Sequence, residues 1–348
     1  MRLLVLGGTK FLGRAAVETA LSRGHEVTLF NRGETNPELF SEAEELRGDR
    51  DGGLSALEGR EWDAVIDPSG YVPRVVRASA DLLRGSVGHY VFVSSGSVYA
   101  EPYAPGYDET APTVELEDPA SEEVLRDYGA LKAACEEVVR EVFPDAHTNV
   151  RAGLIVGPHD GSGRFTYWPL RASLGGDVLA PSPPERLTQF IDVRDLGAWM
   201  VRACERGASG TFNATGESIS LGSALEACGI SEPVWVDEAF LLEQGVGPWM
   251  ELPLWLPAAR GDRAGHARLG ARDRRGARDR EPIRNRGPRP GPRSRAAPSL
   301  AVTLPRGCLT PRSPYEGVRL QAKSHSRDEA VTLPRACLTP GRGVTLAP

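Results

Sequence analysis

The chain has 348 residues, 40% of them apolar and 25% charged, with a formal net charge of −6. That length allows one large domain or two smaller ones, and the balance is that of a soluble globular protein. A negative net charge gives no reason to invoke nucleic acid, and no apolar segment approaches the length of a membrane span.

Apolar runs alternate with helical patterns at βαβ spacing. Residues 2–6 read as a strand and not as a signal peptide, because glycines follow where a longer apolar stretch and a cleavage site belong. A helix over Phe11–Arg23 puts Leu12, Ala16, Ala20 and Leu21 on one side and ends at Gly24. Strands are expected at Glu26–Phe30, Ala43–Leu46 and Trp62–Ile66, then a helix at Tyr71–Leu83. The strand at His89–Ser94 is apolar enough to be covered on both faces. After a Pro-, Glu- and Asp-rich loop from Glu101 to Ser121, a helix runs to Val142 with Pro144 just beyond it. A strand over Asn149–Val156 closes at Gly157-Pro158.

Residues 1–157 thus predict an α/β fold, a doubly wound Rossmann-type domain with a parallel sheet, which later segments at about 187–214 can join. Residues 158–257 read as a smaller, incomplete substrate region. It holds an aromatic segment over Phe165–Leu174 and strands at Asp177–Ala180, Leu187–Ile191 and Gly210–Ala214. Its helices are Leu196–Arg206 and Leu221–Cys228. Near Ala258 the character changes. Arginine recurs with Gly, Asp and Pro up to Arg295, and Ala301–Pro311 returns almost unchanged as Ala330–Pro340, with an echo at Val344–Pro348. Such a stretch cannot bury enough apolar area to offset its ordering entropy. Residues 258–348 are expected to be a disordered tail, and their abrupt onset resembles out-of-frame translation.

Two motifs carry chemistry. The first is Gly7-Gly8-Thr9-Lys10-Phe11-Leu12-Gly13, which leaves the first strand and opens the first helix. A pyrophosphate needs close backbone approach and free N–H groups at a helix N-terminus. Gly7 suits the tight turn, Gly13 lets the helix pack, and Lys10 stands where a third glycine is usual, adding a cation beside phosphate. Gly7, Thr9, Lys10, Phe11, Leu12 and Gly13 are therefore candidate dinucleotide contacts. The second strand leads into Asn31-Arg32, where an NAD site generally has a carboxylate for the ribose hydroxyls. Asn31 lacks that charge and Arg32 suits a 2′-phosphate, so NADP(H) is favoured over NAD(H). Asp49 is either an adenine contact or a plain turn residue.

The second motif is Tyr128-Gly-Ala-Leu-Lys132, two residues four apart on one helix face. A phenol with a pKa of about 10 is a poor base at neutral pH, and a nearby ammonium lowers that value. The pair can then exchange a proton with a substrate alcohol or carbonyl. Lysine occurs only at positions 10, 132 and 323, so Lys132 stands out. At the carboxyl end of the fifth strand, Ser94-Ser95-Gly96-Ser97 offers a hydroxyl to hold the reacting oxygen, or an ordinary helix cap.

These residues resemble the extended short-chain dehydrogenase/reductase family, with its NAD(P)-dependent sugar-nucleotide epimerases and dehydratases. Asp49, Arg151-x-Gly153-Leu-Ile-Val-Gly157-Pro158 and Gln189-Phe-Ile-Asp-Val-Arg-Asp195 add to the match, which covers residues 1–257. The Gly-Gly-Thr-Lys-Phe-Leu-Gly opening is similar to a divergent branch whose substrates are largely unassigned. The resemblance implies that Ser95, Tyr128 and Lys132 are catalytic, with Lys132 also holding the nicotinamide ribose and Ser94 pointing into the packing. Family dehydratases carry an Asp-Glu pair where Gly96 and Ser97 stand, so dehydration is not expected. It also implies a small-molecule substrate and allows a homodimer through two helices, one of them the Tyr128 helix.

Substrate contacts are sought in the loop after the sixth strand and beyond: His159, Arg164, Arg186 and Gln189. The competing readings for each are solvated or structural side chains. Five cysteines show neither metal-ligand spacing nor close pairing, so no metal is expected and a reduced cytoplasmic protein is the simplest account. The leading function is an NAD(P)-dependent oxidoreductase or epimerase. The alternatives are a non-catalytic NADP(H)-binding or redox-sensing protein, and an enzyme impaired by its C-terminus.

Overall fold

A computed structural model describes residues 1–100, 106–249 and 251–255. The expectations for residues 258–348 lie outside the described residues. In the first half of the chain the elements are β1 (Arg2–Leu6), α1 (Phe11–Ser22), β2 (Glu26–Asn31), β3 (Glu44–Arg47) and β4 (Ala64–Asp67). Then come α2 (Pro73–Leu83), β5 (Tyr90–Ser95), α3 (Val124–Val142), β6 (His147–Ala152) and β7 (Leu154–Val156). The remainder is α4 (Tyr167–Leu174), β8 (Leu179–Pro181), β9 (Leu187–Thr188), β10 (Phe190–Asp192), α5 (Val193–Arg206) and β11 (Gly210–Ala214). It ends with β12 (Ile219–Ser220), α6 (Leu221–Ala227), β13 (Val234–Val236) and α7 (Glu238–Glu243).

Seven strands form one parallel sheet in the order β11-β6-β5-β4-β1-β2-β3. The α/β, doubly wound Rossmann-type fold is therefore present. Every residue of β1 after Arg2 is buried because helices cover both faces of the sheet. Leu3 and Val5 face α1 and α5, packing with Leu12, Ala16, Leu196 and Met200. Leu4 and Leu6 alternate to the other face and meet Val76, Phe92, Cys135 and Val139 of α2, β5 and α3. The order reverses at β1, between β2 and β4, the place in such sheets where ligands bind beyond the strands' carboxyl ends.

The strand expected over Asn149–Val156 is two. After Ala152 the chain leaves the main sheet; Gly153 N–H still donates to the Ala214 carbonyl at 3.0 Å, and β7 pairs with β10 instead. The Leu187–Ile191 strand divides as well, β9 pairing with β12 and β10 with β7. Helix α5 begins three residues earlier than its apolar pattern suggests, because the Asp192 side chain caps it by accepting from Arg194 N–H at 2.8 Å. The chain returns to the sheet at β11, alongside β6.

The smaller region has its own core: Leu154, Val156, Trp168, Leu221, Leu241 and Trp255 are buried together. The strand expected at Asp177–Ala180 is β8, and it pairs with β13; β13 and helix α7, absent from the sequence reading, complete this core. Trp255 is fully buried and donates its indole N–H to Glu238 at 2.8 Å. Among the described residues no helix is long and apolar enough to cross a membrane.

Candidate active site

The glycine turn joins β1 to α1 at the reversal of strand order. Gly7 and Gly8 have φ of 117° and 100°, conformations that side chains resist. A Cβ on Gly13 would lie 3.0 Å from the Gly8 Cα, so the first turn of α1 presses against the loop. Lys10 stands exposed at the N-cap and makes no side-chain cap bond, and the first turn of α1 has no acidic residue. Its N–H groups are therefore suited to a phosphate. Thr9 is buried, its carbonyl accepting from Asn36 at 2.9 Å, and Phe11 is half-buried. Leu12 packs its side chain into the core, so what it offers a ligand is backbone.

At the end of β2, the Asn31 Oδ1 accepts from Gly33 N–H and from Arg47, both at 2.8 Å. Asn31 thus ties the turn together. Arg32 is exposed, paired with Glu34 at 2.9 Å and 4.0 Å from Asp49. Two carboxylates against one guanidinium make this corner a poor seat for an added phosphate. Asp49 also accepts from Asp51 N–H at 2.9 Å, the bond of a tight turn.

Ser95 is the last residue of β5 and is half-buried; Ser94 is buried beside it. The Ser95 hydroxyl accepts from Ser97 N–H at 3.1 Å and so starts a short 3₁₀ turn over Gly96–Val98. Helix α3 descends directly onto this turn. A Cβ on Gly129 would lie 2.1 Å from the Ser97 carbonyl oxygen, so only glycine allows the approach. Gly129 follows Tyr128, and a kink at Asp127 precedes it. The Tyr128 ring is half-buried, with its centroid 6.4 Å from that of Tyr71.

Lys132 lies one turn further along α3 and is 2% exposed. Its ammonium donates to the carbonyls of Gly70, at 2.6 Å, and Val93, and lies over the rings of Phe92 and Tyr71 at 4.3 and 5.1 Å. Burial pulls its pKa down to about 8, with Cys135 and Asp67 acting in the other direction. Ser95, Tyr128 and Lys132 thus gather around one strand end. Gly129 and Tyr71, which join them there, carry no signal in the sequence reading.

A buried ion pair seats the same helix on the sheet. Arg151 of β6 donates to Glu136 of α3 at 2.8 Å and to the Glu109 carbonyl at 3.0 Å, and lies 4.7 Å over the Tyr99 ring. Tyr99 in turn donates to Asn213 of β11 at 2.6 Å.

The substrate candidates do not gather around Tyr128. A cavity of about 530 Å³ lies in the smaller region, between Pro158, Phe165, Phe190 and Asp195. Neither Ser95, Tyr128, Lys132 nor the glycine turn lines it. His159 is exposed next to Pro158, and Arg164 precedes Phe165, its guanidinium 5.5 Å from the Trp249 ring. Gln189 donates to the Gly216 carbonyl at 3.1 Å and holds the junction of β9 and β10. Arg186 is elsewhere than expected: it is 7% exposed and ion-paired with Glu238, so its charge is committed to the fold. Among the described residues no group of three or more His, Cys, Asp or Glu could hold a metal ion.

Residues 3–215 match the NAD dependent epimerase/dehydratase family. The chain belongs to it. It is 26% identical over 255 residues to the chloroplast stem-loop binding protein of 41 kDa b of Arabidopsis thaliana, covering 67% of this chain and 64% of that protein's length. Among solved structures, UDP-N-acetylglucosamine 4-epimerase from Bacillus cereus aligns with a TM-score of 0.55 at 17% identity, over 68% of this chain and 85% of that one. The Bordetella bronchiseptica enzyme WbmH in complex with NAD⁺ aligns with a TM-score of 0.57 at 18% identity, over 78% and 89%. At these identities the structures speak for the fold. The family also corrects the cofactor: the expected preference for NADP(H) gives way to NAD. The physical reason is local, since Glu34 and Asp49 already occupy the Arg32 charge.

Proposed function

We propose that the chain is a cytoplasmic NAD-dependent epimerase or oxidoreductase acting on a hydroxyl-bearing carbon of a sugar nucleotide or related small molecule. The observation that carries this reading is the contact of Gly129 with the serine turn, which brings the helix of Tyr128 and Lys132 against the strand end bearing Ser95. NAD would lie beyond the carboxyl ends of β1 and its neighbours with its pyrophosphate on the glycine turn, supplying the site that accepts and returns a hydride. Tyr128 exchanges the proton of the substrate hydroxyl, Ser95 holds that oxygen, and Lys132, one turn along the same helix, meets the ribose. Asp49 and the turn residues Thr9, Lys10 and Phe11 serve the cofactor, while His159 and Arg164 border the substrate side. Incubation of NAD-loaded protein with UDP- and dTDP-sugars tests the reading. Sugar interconversion without net NADH marks an epimerase, and NADH formation marks an oxidoreductase. Neither reaction across the panel removes the proposal.

The name of the plant relative raises nucleic acid as a partner. Charge argues against it. Duplex binding needs unpaired cations, and among the described residues Arg14, Arg23, Arg32, Arg60 and Arg74 each pair with a carboxylate. We therefore favour a small-molecule substrate, and an RNA hairpin that bound with steep salt dependence would reverse this preference.

On cofactor choice, NAD is expected to bind more tightly than NADP, with Glu34 contributing to the difference. Glu34→Gln removes one like charge from the corner where a 2′-phosphate would sit. It should narrow the discrimination about tenfold, which corresponds to about 1.4 kcal/mol. Calorimetry with both cofactors measures it, and an unchanged ratio excludes Glu34.

A further inference from the structure

We propose that Arg50 and Asp67 form a positioning pair for Lys132, tying the turn that carries Asp49 to the buried ammonium one helical turn from Tyr128. The inference rests on the reading of Lys132 as partner to the phenol and the cofactor. Arg50 follows Asp49 after β3, yet its side chain turns inward and is only 12% exposed. Its two terminal nitrogens donate to the two carboxylate oxygens of Asp67, the fully buried last residue of β4. Arg50 also donates to Ser79 at 2.9 Å, and Tyr90 donates to Asp67 at 2.8 Å. Burial pushes the Asp67 carboxyl up, and Arg50 and Tyr90 outweigh it, leaving an acid weaker in proton affinity than usual.

From Asp67 the connection continues through the next three residues. Ser69 N–H donates back to Asp67 at 3.1 Å, and the Ser69 hydroxyl donates to the Leu6 carbonyl at 2.7 Å, just before the glycine turn. The Gly70 carbonyl then receives Lys132. One short segment, residues 67–70, therefore touches β1, the buried ion pair and the lysine. A buried ion pair is weak as a source of stability, since apolar groups of similar volume do as well. Its use here is geometric and electrostatic. It fixes the carbonyl that orients the ammonium, and it places a balanced pair of charges near it.

The groups facing Lys132 set the expected signs. Asp67 and Arg50 lie on one side; Cys135 and Glu136 share its helix, Glu136 already paired with Arg151; the phenol of Tyr71 lies below it. Asp67 favours the ammonium and Arg50 opposes it. Because lysine occurs at three positions only, isotope labelling of lysine side chains gives few NMR signals, and Lys132→Met identifies the relevant one. Asp67→Asn is expected to lower the midpoint of Lys132 by about one pH unit, a tenfold loss in proton affinity, and Arg50→Met to raise it. Mere loosening of the fold would move both variants upward, toward the value of about 10.4 of a solvated lysine. Should Asp67→Asn not fold, the double variant Arg50→Met/Asp67→Asn, which leaves no unpaired charge, is compared with Arg50→Met and must titrate lower. Midpoints that do not move, or that move together, overturn the proposal. Opposite shifts in a protein with no turnover on any sugar nucleotide would uphold the pair and sink the enzymatic reading alone.

Discussion

A Tyr128→Phe variant is expected to bind NAD as the parent does and to lose hydride transfer by about 10²–10⁴-fold, the usual worth of a positioned proton donor. The substitution deletes one hydroxyl and keeps the ring that packs near Tyr71. The Gly129 contact with the serine turn involves backbone and is untouched. A Lys132→Met variant should differ: it removes two hydrogen bonds to carbonyls together with the proposed ribose contact, so affinity and rate are both expected to fall. Calorimetry and single-turnover kinetics on the two proteins separate the effects. Undiminished turnover in Tyr128→Phe would require another proton carrier, and Tyr71 is the nearest phenol to examine.

An Arg151→Met variant should lose about 3–5 kcal/mol of stability, because it strands Glu136 as an uncompensated buried charge. Both partners are under one-tenth exposed, and the guanidinium also serves the Glu109 carbonyl and the Tyr99 ring. The double variant Arg151→Met/Glu136→Leu should recover most of the loss, since apolar replacement of both partners removes the stranded charge. Urea unfolding of the three proteins measures this. A single variant as stable as the parent would mean that Glu136 finds water or a proton, and that the helix is seated by its apolar face alone.

Much of the sheet was legible because β1 and β5 carry continuous apolar runs, residues 3–6 and 90–93, as strands covered on both faces do. The glycine turn and the Tyr128–Lys132 spacing were legible for a similar reason, as local patterns with one geometric meaning. What failed was non-local. The run from Asn149 to Val156 stays apolar where the chain changes sheets, so its division at Gly153 left no mark. β13 and α7 are three and six residues long, too short for a period to show. Arg32 read alone suggested a phosphate seat; Glu34 and Asp49 beside it give the opposite sense. Arg186 reads locally as a candidate substrate contact, whereas its ion-pair partner, Glu238, stands 52 residues later. Arg50 carries no local mark, because its inward course depends on an aspartate 17 residues on.

The burial of Trp255 bears on the order in which a newly made polypeptide acquires its shape. The parallel sheet has all its strands once β11 has been synthesised, at residue 214, whereas the second core waits for the indole 41 positions later. At about 5–20 residues per second, translation leaves an interval of about 2–8 s in which a finished sheet carries a half-built neighbour. During it, Trp168, and then Leu221 and Leu241 as each is made, lack the side chain that seals them, and this is when a chaperone has most to hold.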